Sequence, residues 1–279
     1  MFHTPISAAA RLALGGMILT VLSATTLTAQ AADTSLVRDG VLSVCTGGDF
    51  PPMQYYANPG DEKLVGFEVD VVDAIARQWN ATTKYVVGDF KGLLPSLGAE
   101  RCDLVASGIL VTAERLKAYD AVPYFISNVV MVTAVADDAT KAPEDLSGKV
   151  LAIEAGTNYE KMAADLNAEL TKAGKAPAEI QTYPSASAVI QQILIGRAAA
   201  TITQDTTAAF RIQQMPGQLQ IPYSYGDGET YGLYLRKSGD ERQRLVKAIE
   251  AVQASSEMAT LLKKWNLPAT ATDVKHTTN

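Results

Sequence analysis

The sequence predicts a two-lobed α/β protein. Short apolar strands alternate with segments of helical periodicity, and this alternation runs through the chain twice. In both halves the strands leave through small residues, so two sheets of similar plan face one another. One arginine, one aspartate and one Gly-Thr-Asn turn fall at the carboxyl ends of such strands, the edge where open α/β sheets bind ligands.

The first unit begins with a strand over residues 42–46, stopped by Thr46-Gly47-Gly48-Asp49-Phe50-Pro51-Pro52. Phe67, Val71, Ile75 and Trp79 recur every fourth residue with Asp70, Asp73 and Arg77 between them, which predicts an amphipathic helix. A strand over 85–87, a short helix over 93–97 and a strand over 104–107 complete a β-α-β-α-β unit. The second unit repeats it, with strands over 150–153, 180–183 and 200–203. Tyr159, Met162, Ala163, Leu166 and Leu170 mark one helical face, and Ser185 caps a helix that ends at Gly196. Residues 124–135 and 231–235 read as two extended connections, a natural hinge. Helices near 241–255 and 258–265 follow. The expected division is residues 32–126 with 230–268 in one lobe, 127–229 in the other, and a flexible polar tail over 269–279.

The first residues read as a targeting segment. Arg11 precedes an uncharged apolar run over 12–27, and Ala29-Gln30-Ala31 fits cleavage after residue 31. Removing residues 1–31 from 279 leaves 248 and takes away one positive charge, so the net charge moves from −6 to −7. No cysteine stands at the cleavage site to carry a lipid. The acidic balance and the lack of basic clusters argue against nucleic acid or an anionic membrane surface as partner.

Cys45 and Cys102 invite a disulfide in an exported chain. Placed on parallel neighbouring strands, however, they are separated by about four residues of rise, beyond the ~7 Å limit for a bridge. Two free buried thiols are therefore expected.

Arg115 lies seven residues beyond the Ser107-Gly108 strand exit. A guanidinium presents paired donors to a carboxylate, although Glu114 or Asp120 could instead hold Arg115 in a structural ion pair. Asp205 could receive an ammonium or simply cap a helix. Gly156-Thr157-Asn158 offers free amides to an anion, or is an ordinary turn. A fixed cation and a fixed anion at one edge describe a site for a zwitterion such as an amino acid. Phe50 and Phe90, beside Gly or Pro exits, would wall an aliphatic stem. His3 and His276 lie outside the folded body, and there is no Walker A or dinucleotide fingerprint, so no catalytic triad, metal or cofactor is expected, while a carboxylate pair such as Asp49 and Glu154 could in principle do acid–base work.

Gly47-Gly48-Asp49-Phe50-Pro51-Pro52, Gly66-Phe67-Glu68-Val69-Asp70, Phe90-Lys91-Gly92-Leu93-Leu94-Pro95 and Thr112-Ala113-Glu114-Arg115 with Asp120 occur in that order. With Gly196-Arg197 and Lys264-Trp265 they make the whole mature chain resemble the periplasmic solute-binding proteins of polar amino-acid ABC importers. That resemblance implies a periplasmic-binding-protein fold with a two-stranded hinge, a monomer, an amino-acid ligand and a membrane permease as partner. It implies that Arg115 and the amides of Leu110 and Asn158 take the α-carboxylate, while Asp205 and the Gly108 carbonyl take the ammonium. Ser107 and Thr157 belong to the same frame. The chain departs from the family where Leu110 replaces Ser or Thr, Gly47 an aspartate, Glu154 a lysine of the glutamine binders, and Ala199 an aspartate. Glu154, Gln204 and Asp49 would suit a cationic or hydrogen-bond-donating side chain. Some cyclohexadienyl dehydratases share the resemblance, which keeps an enzyme as the alternative.

Overall fold

The computed structural model describes residues 35–226 and 228–276. The predicted signal segment therefore lies outside the described residues. The first half of the chain contains β1 (Val41–Thr46), the short strands β2 (Asp49–Phe50), β3 (Gln54–Tyr56) and β4 (Leu64–Val65), then α1 (Phe67–Gln78), β5 (Thr82–Val87), α2 (Phe90–Gly98), β6 (Leu104–Val105), α3 (Ala113–Ala118) and β7 (Tyr119–Ser127). The second contains β8 (Val129–Ala134), β9 (Val150–Glu154), α4 (Tyr159–Lys172), β10 (Glu179–Tyr183), α5 (Ala186–Leu194), β11 (Ala200–Gln204), α6 (Asp205–Gln214) and β12 (Leu219–Ser224). It closes with β13 (Glu229–Arg236), α7 (Gly239–Ala254) and α8 (Ser256–Lys264).

The fold class is the one the sequence predicts. One sheet has the order β5-β1-β6-β13-β7 and the other β10-β9-β11-β8-β12, and both join parallel strands to an antiparallel pair. The chain leaves the first sheet at Ser127, enters the second at Val129, and returns between Ser224 and Glu229. The helix expected from the four-residue repeat is α1, whose Phe67, Val71, Val72 and Ile75 are buried together. In the second lobe Val189, Ile190 and Ile193 of α5 bury one face, and the Ser185 hydroxyl caps the helix by accepting from Ala188 N. The small β2-β3-β4 sheet was not foreseen, because two- and three-residue strands have no visible period.

Two expectations are corrected. Cys45 and Cys102 form a disulfide with Cα atoms 5.6 Å apart. The strands are parallel neighbours, with Cys45 paired to Val105. But β6 begins only at Leu104, and bends at Arg101 and Asp103 bring Cys102 back beside Cys45 instead of extending it along the strand axis. The tail is also not free up to residue 276. Residues 269–272 form a 3₁₀ turn with Ala271 buried, and the His276 ring lies 2.7 Å from both Pro123 O and Gln253 Oε1. Apolar and hydrogen-bonded docking overrides the polar composition that predicted disorder.

The bridge links residues 57 apart in sequence. Loop-closure entropy for that span is worth about 4 kcal/mol. Replacing both cysteines by alanine should lower unfolding stability by about that amount, read as a fall in the urea midpoint. An unchanged midpoint would show that the bridge does not restrain the unfolded chain.

Candidate functional site

A cavity of about 210 Å³ opens at the carboxyl ends of the parallel strands, between the two sheets. Its first-lobe wall includes Asp49, Phe50 and Phe90, with Ser107, Gly108, Leu110 and Arg115 from the exit of β6. Its second-lobe wall includes Glu154, Thr157 and Asn158 from the exit of β9. The structure thus brings ten of the sequence-predicted residues to one place. It does not bring Gln204 or Asp205 there.

Arg115 sits in α3, where the Thr112 hydroxyl caps the helix by accepting Arg115 N at 3.3 Å. Its guanidinium donates to Leu110 O at 2.9 Å and, across the cleft, to Gly156 O at 3.3 Å, with the Phe90 ring centroid 6.0 Å away. The carboxylates that could have claimed it are engaged elsewhere. Glu114 pairs with Lys117, while Asp120 takes Lys237 at 3.1 Å and Ser238 N at 2.9 Å. Arg115 consequently lines the cavity in no direct ion pair among the described residues, with the charge of Glu229 on β13 near enough to feel its own, and its unused donors can grip an anion bidentately.

The floor is set by Gly108, whose φ of +58° places it in the left-handed region. A Cβ there would also lie 2.6 Å from the Phe50 ring, so glycine is required twice over. Glu68 holds this turn: its buried carboxyl accepts Gly108 N at 2.9 Å and the Tyr124 hydroxyl at 2.7 Å. Burial pushes Glu68 up to about 7, against the opposing pull of those two hydrogen bonds. The neighbouring Ser107 hydroxyl accepts from Gly47 N and Gln54 Nε2, both at 3.0 Å, which leaves its own proton to donate.

Glu154 ends β9 inside the cavity. Burial, and then the negative charges of Asp49 and Asp89, push its carboxyl up to about 8. Thr157 Oγ1 donates to Glu154 O at 2.7 Å and tightens the turn into α4. The opposite lobe comes close at this turn: Gly156, with φ +81°, would place a Cβ 2.7 Å from Lys91 Cα.

The two displaced residues have other partners. Asp205 accepts from Ser127 Oγ at 2.6 Å and from Asn128 Nδ2 at 2.7 Å, and its own N donates to Asn128 O at 2.8 Å. It therefore braces the crossing between the sheets and lines a separate cavity on the hinge side. Gln204 Nε2 donates to Tyr159 Oη at 2.9 Å. Strand register explains Asp205: Gln204 pairs with Val129 at the start of β8, so the residue after it meets the crossing, whereas Gln204 stands behind Tyr159 of the cavity wall. Sequence reasoning missed Gln54, Asp89 and Tyr159, which all line the cavity. Asp89 alone left a signal, as an aspartate immediately before the α2 helix. Among the described residues no group of three or more His, Cys, Asp or Glu is gathered to hold a metal.

Residues 42–268 match the model of the bacterial extracellular solute-binding proteins, family 3. The chain belongs to that family. It is 27% identical over 262 residues to the L-cystine-binding protein TcyJ of Escherichia coli, covering 91% of this chain and 95% of that one. An ancestral arginine-binding protein bound to arginine is 29% identical, with a TM-score of 0.74 over 81% of this chain and 98% of that structure. The ancestral amino acid-binding protein AncCDT-1, a precursor of cyclohexadienyl dehydratase, is 25% identical with a TM-score of 0.70, covering 81% of this chain and 95% of that one. The family member described here thus has binding proteins as relatives, on a fold that also leads to an enzyme.

Both raised carboxyls predict a pH dependence of folding. Below the ordinary carboxyl range Glu68 and Glu154 are protonated folded and unfolded alike, so they add no slope. Above about 4.5 the unfolded chain ionises first, and stability falls until the folded carboxyls ionise at about 7 and about 8. Melting of ligand-free protein from pH 5 to pH 9 should show this decline, and Glu154→Gln should flatten its upper part. A slope that the substitution leaves untouched would mean that Glu154 is solvated.

Proposed function

We propose that this chain is the amino-acid-capturing component of an ABC importer, exported to the periplasm by a cleaved signal segment and working there as a monomer with a membrane permease. The observation that carries the reading is the set of charges lining one cavity: Arg115, in no ion pair with a carboxylate, together with the carboxyls of Glu154 from the second lobe and Asp89 from the first. Arg115, helped by the amides of Leu110 and Asn158, takes the α-carboxylate. Phe50 and Phe90 flank the stem of the ligand. The ammonium and a cationic or donor-rich side chain face Glu154 and Asp89, which supply the negative charge expected of Asp205.

The lobes are residues 32–126 with 230–268, and 127–229. They turn about the two crossings, and ligand held by both lobes favours the closed form through contacts the open form lacks. The relatives named for cystine and arginine support an amino-acid ligand with a positive group away from its head.

Removing one partner of a buried charge pair costs about 2–5 kcal/mol. Arg115→Ala should therefore weaken amino-acid binding by roughly 30-fold to several thousand-fold. Calorimetry that finds binding within about threefold of wild type would remove the carboxylate role.

Glu154 predicts selectivity and its pH dependence. A carboxyl that ionises near pH 8 must lose its proton to meet a cation, so affinity for arginine should rise from pH 6 to pH 8 with proton release on binding. Glu154→Gln should abolish that rise and move preference toward neutral amino acids. An unchanged ranking across an amino-acid panel would place Glu154 outside the ligand contacts.

A second reading is favoured by the same Glu154, since a carboxyl protonated at neutral pH can donate a proton. On that reading the chain is a periplasmic enzyme resembling cyclohexadienyl dehydratase. Incubation of the purified protein with prephenate or arogenate separates the two: the binding reading expects no product, the enzyme reading expects turnover.

A further inference from the structure

Asp49 lies in β2 of the first lobe, at the cavity rim, yet its carboxylate is engaged by the second lobe. Oδ2 accepts Ser187 N at 2.7 Å, while Oδ1 accepts Ser187 Oγ at 2.6 Å and Arg211 Nη2 at 2.9 Å. Arg211 Nη2 also donates to Ser187 Oγ at 2.8 Å, closing the group on itself. Ser187 occupies the first turn of α5, where backbone N–H groups lack helical acceptors and the helix dipole favours an anion. Arg211 comes from α6 and does not line the cavity. One carboxylate of one lobe is thus held by a helix N-terminus, a hydroxyl and a guanidinium of the other.

We propose that Asp49, Ser187 and Arg211 form a latch that holds the two lobes together whichever amino acid lies between them. The proposal rests on the reading of the chain as a hinged binding protein. All three bonds to Asp49 need the lobes at this separation, and a hinge motion that lifts β2 from α5 breaks them at once. None of the three passes through the ligand. A contact made only in the closed form shifts the opening equilibrium by its own free energy and equally for every ligand. The latch therefore sets how long a ligand stays, and Glu154 with Asp89 sets which ligand is chosen. By pairing with Asp49, Arg211 also removes that carboxylate from competition for a ligand cation.

Stopped-flow binding of arginine, lysine and histidine to wild type, Arg211→Gln, Asp49→Asn and the double variant tests this. Charge-assisted hydrogen bonds at a partly exposed site translate into about a tenfold faster dissociation for either single variant. Association should change by less than about threefold, the factor for Arg211→Gln should be the same for all three ligands, and the double variant should match Asp49→Asn, because Ser187 still holds Asp49 when only Arg211 is replaced. Ser187→Ala, which preserves the helix, should give a smaller acceleration of the same kind. Unchanged dissociation would overturn the latch, and so would an effect confined to one ligand, which would make Asp49 a ligand contact. If wild type binds none of the three, the functional reading fails, and the latch is judged without ligand. Spin labels on the two lobes should then report a larger open population in Arg211→Gln than in wild type, and identical distance distributions would overturn it.

Discussion

Glu68 carries its carboxyl into the core from the first turn of α1, and three distant segments meet there. One oxygen takes the Tyr124 hydroxyl from β7, the other takes the Gly108 amide at the exit of β6. A buried carboxyl is tolerated only where hydrogen bonds replace its water. That requirement ties the helix, the hinge strand and the cavity floor into a single arrangement. Ser107, Gly108, Leu110 and Arg115 all follow from where this turn is held. Phe50 closes over it, and Phe125 and Tyr231 stack behind with ring centres 5.5 Å apart.

From that floor the site acquires its polarity. Arg115 is held by backbone carbonyls rather than by an acid, so its charge remains available. In the same cavity the Glu154 carboxyl is held where ionisation is disfavoured by burial and by two neighbouring acids. Each group is costly to keep alone in the cavity, and a ligand carrying complementary charges relieves both. The lobes approach closely enough at Gly156 and Asp49 for second-lobe groups to complete what the first lobe begins.

Much of this was legible in the chain. The repeat of Phe67, Val71 and Ile75 gave away α1, because a helix must bury one face. Ser185 announced the start of α5 through its capping hydroxyl. Arg115 and Gly108 were singled out because strand exits gather at one edge of a parallel sheet, and Glu154 because it departs from the family that the chain resembles. Asp205 shows the limit: it does sit at a strand end, but beside the crossing strand, so its carboxylate braces Ser127 and Asn128. Cys102 shows another, since an expected straight strand was in fact bent. Ser187 and Arg211 stand 138 and 162 residues from Asp49 and left no trace in any local pattern.

The sequence by itself determined the alternation of strands and helices, the two-unit plan and the residue types at the strand exits, because periodicity, capping and turn chemistry act over a few residues. Only the tertiary structure decided which exits share a cavity, which acid braces the crossing, and which acid joins the lobes. Those outcomes depend on register and on the distance between lobes. Hydrogen bonds and desolvation act over a few ångströms in space, whatever the separation along the chain.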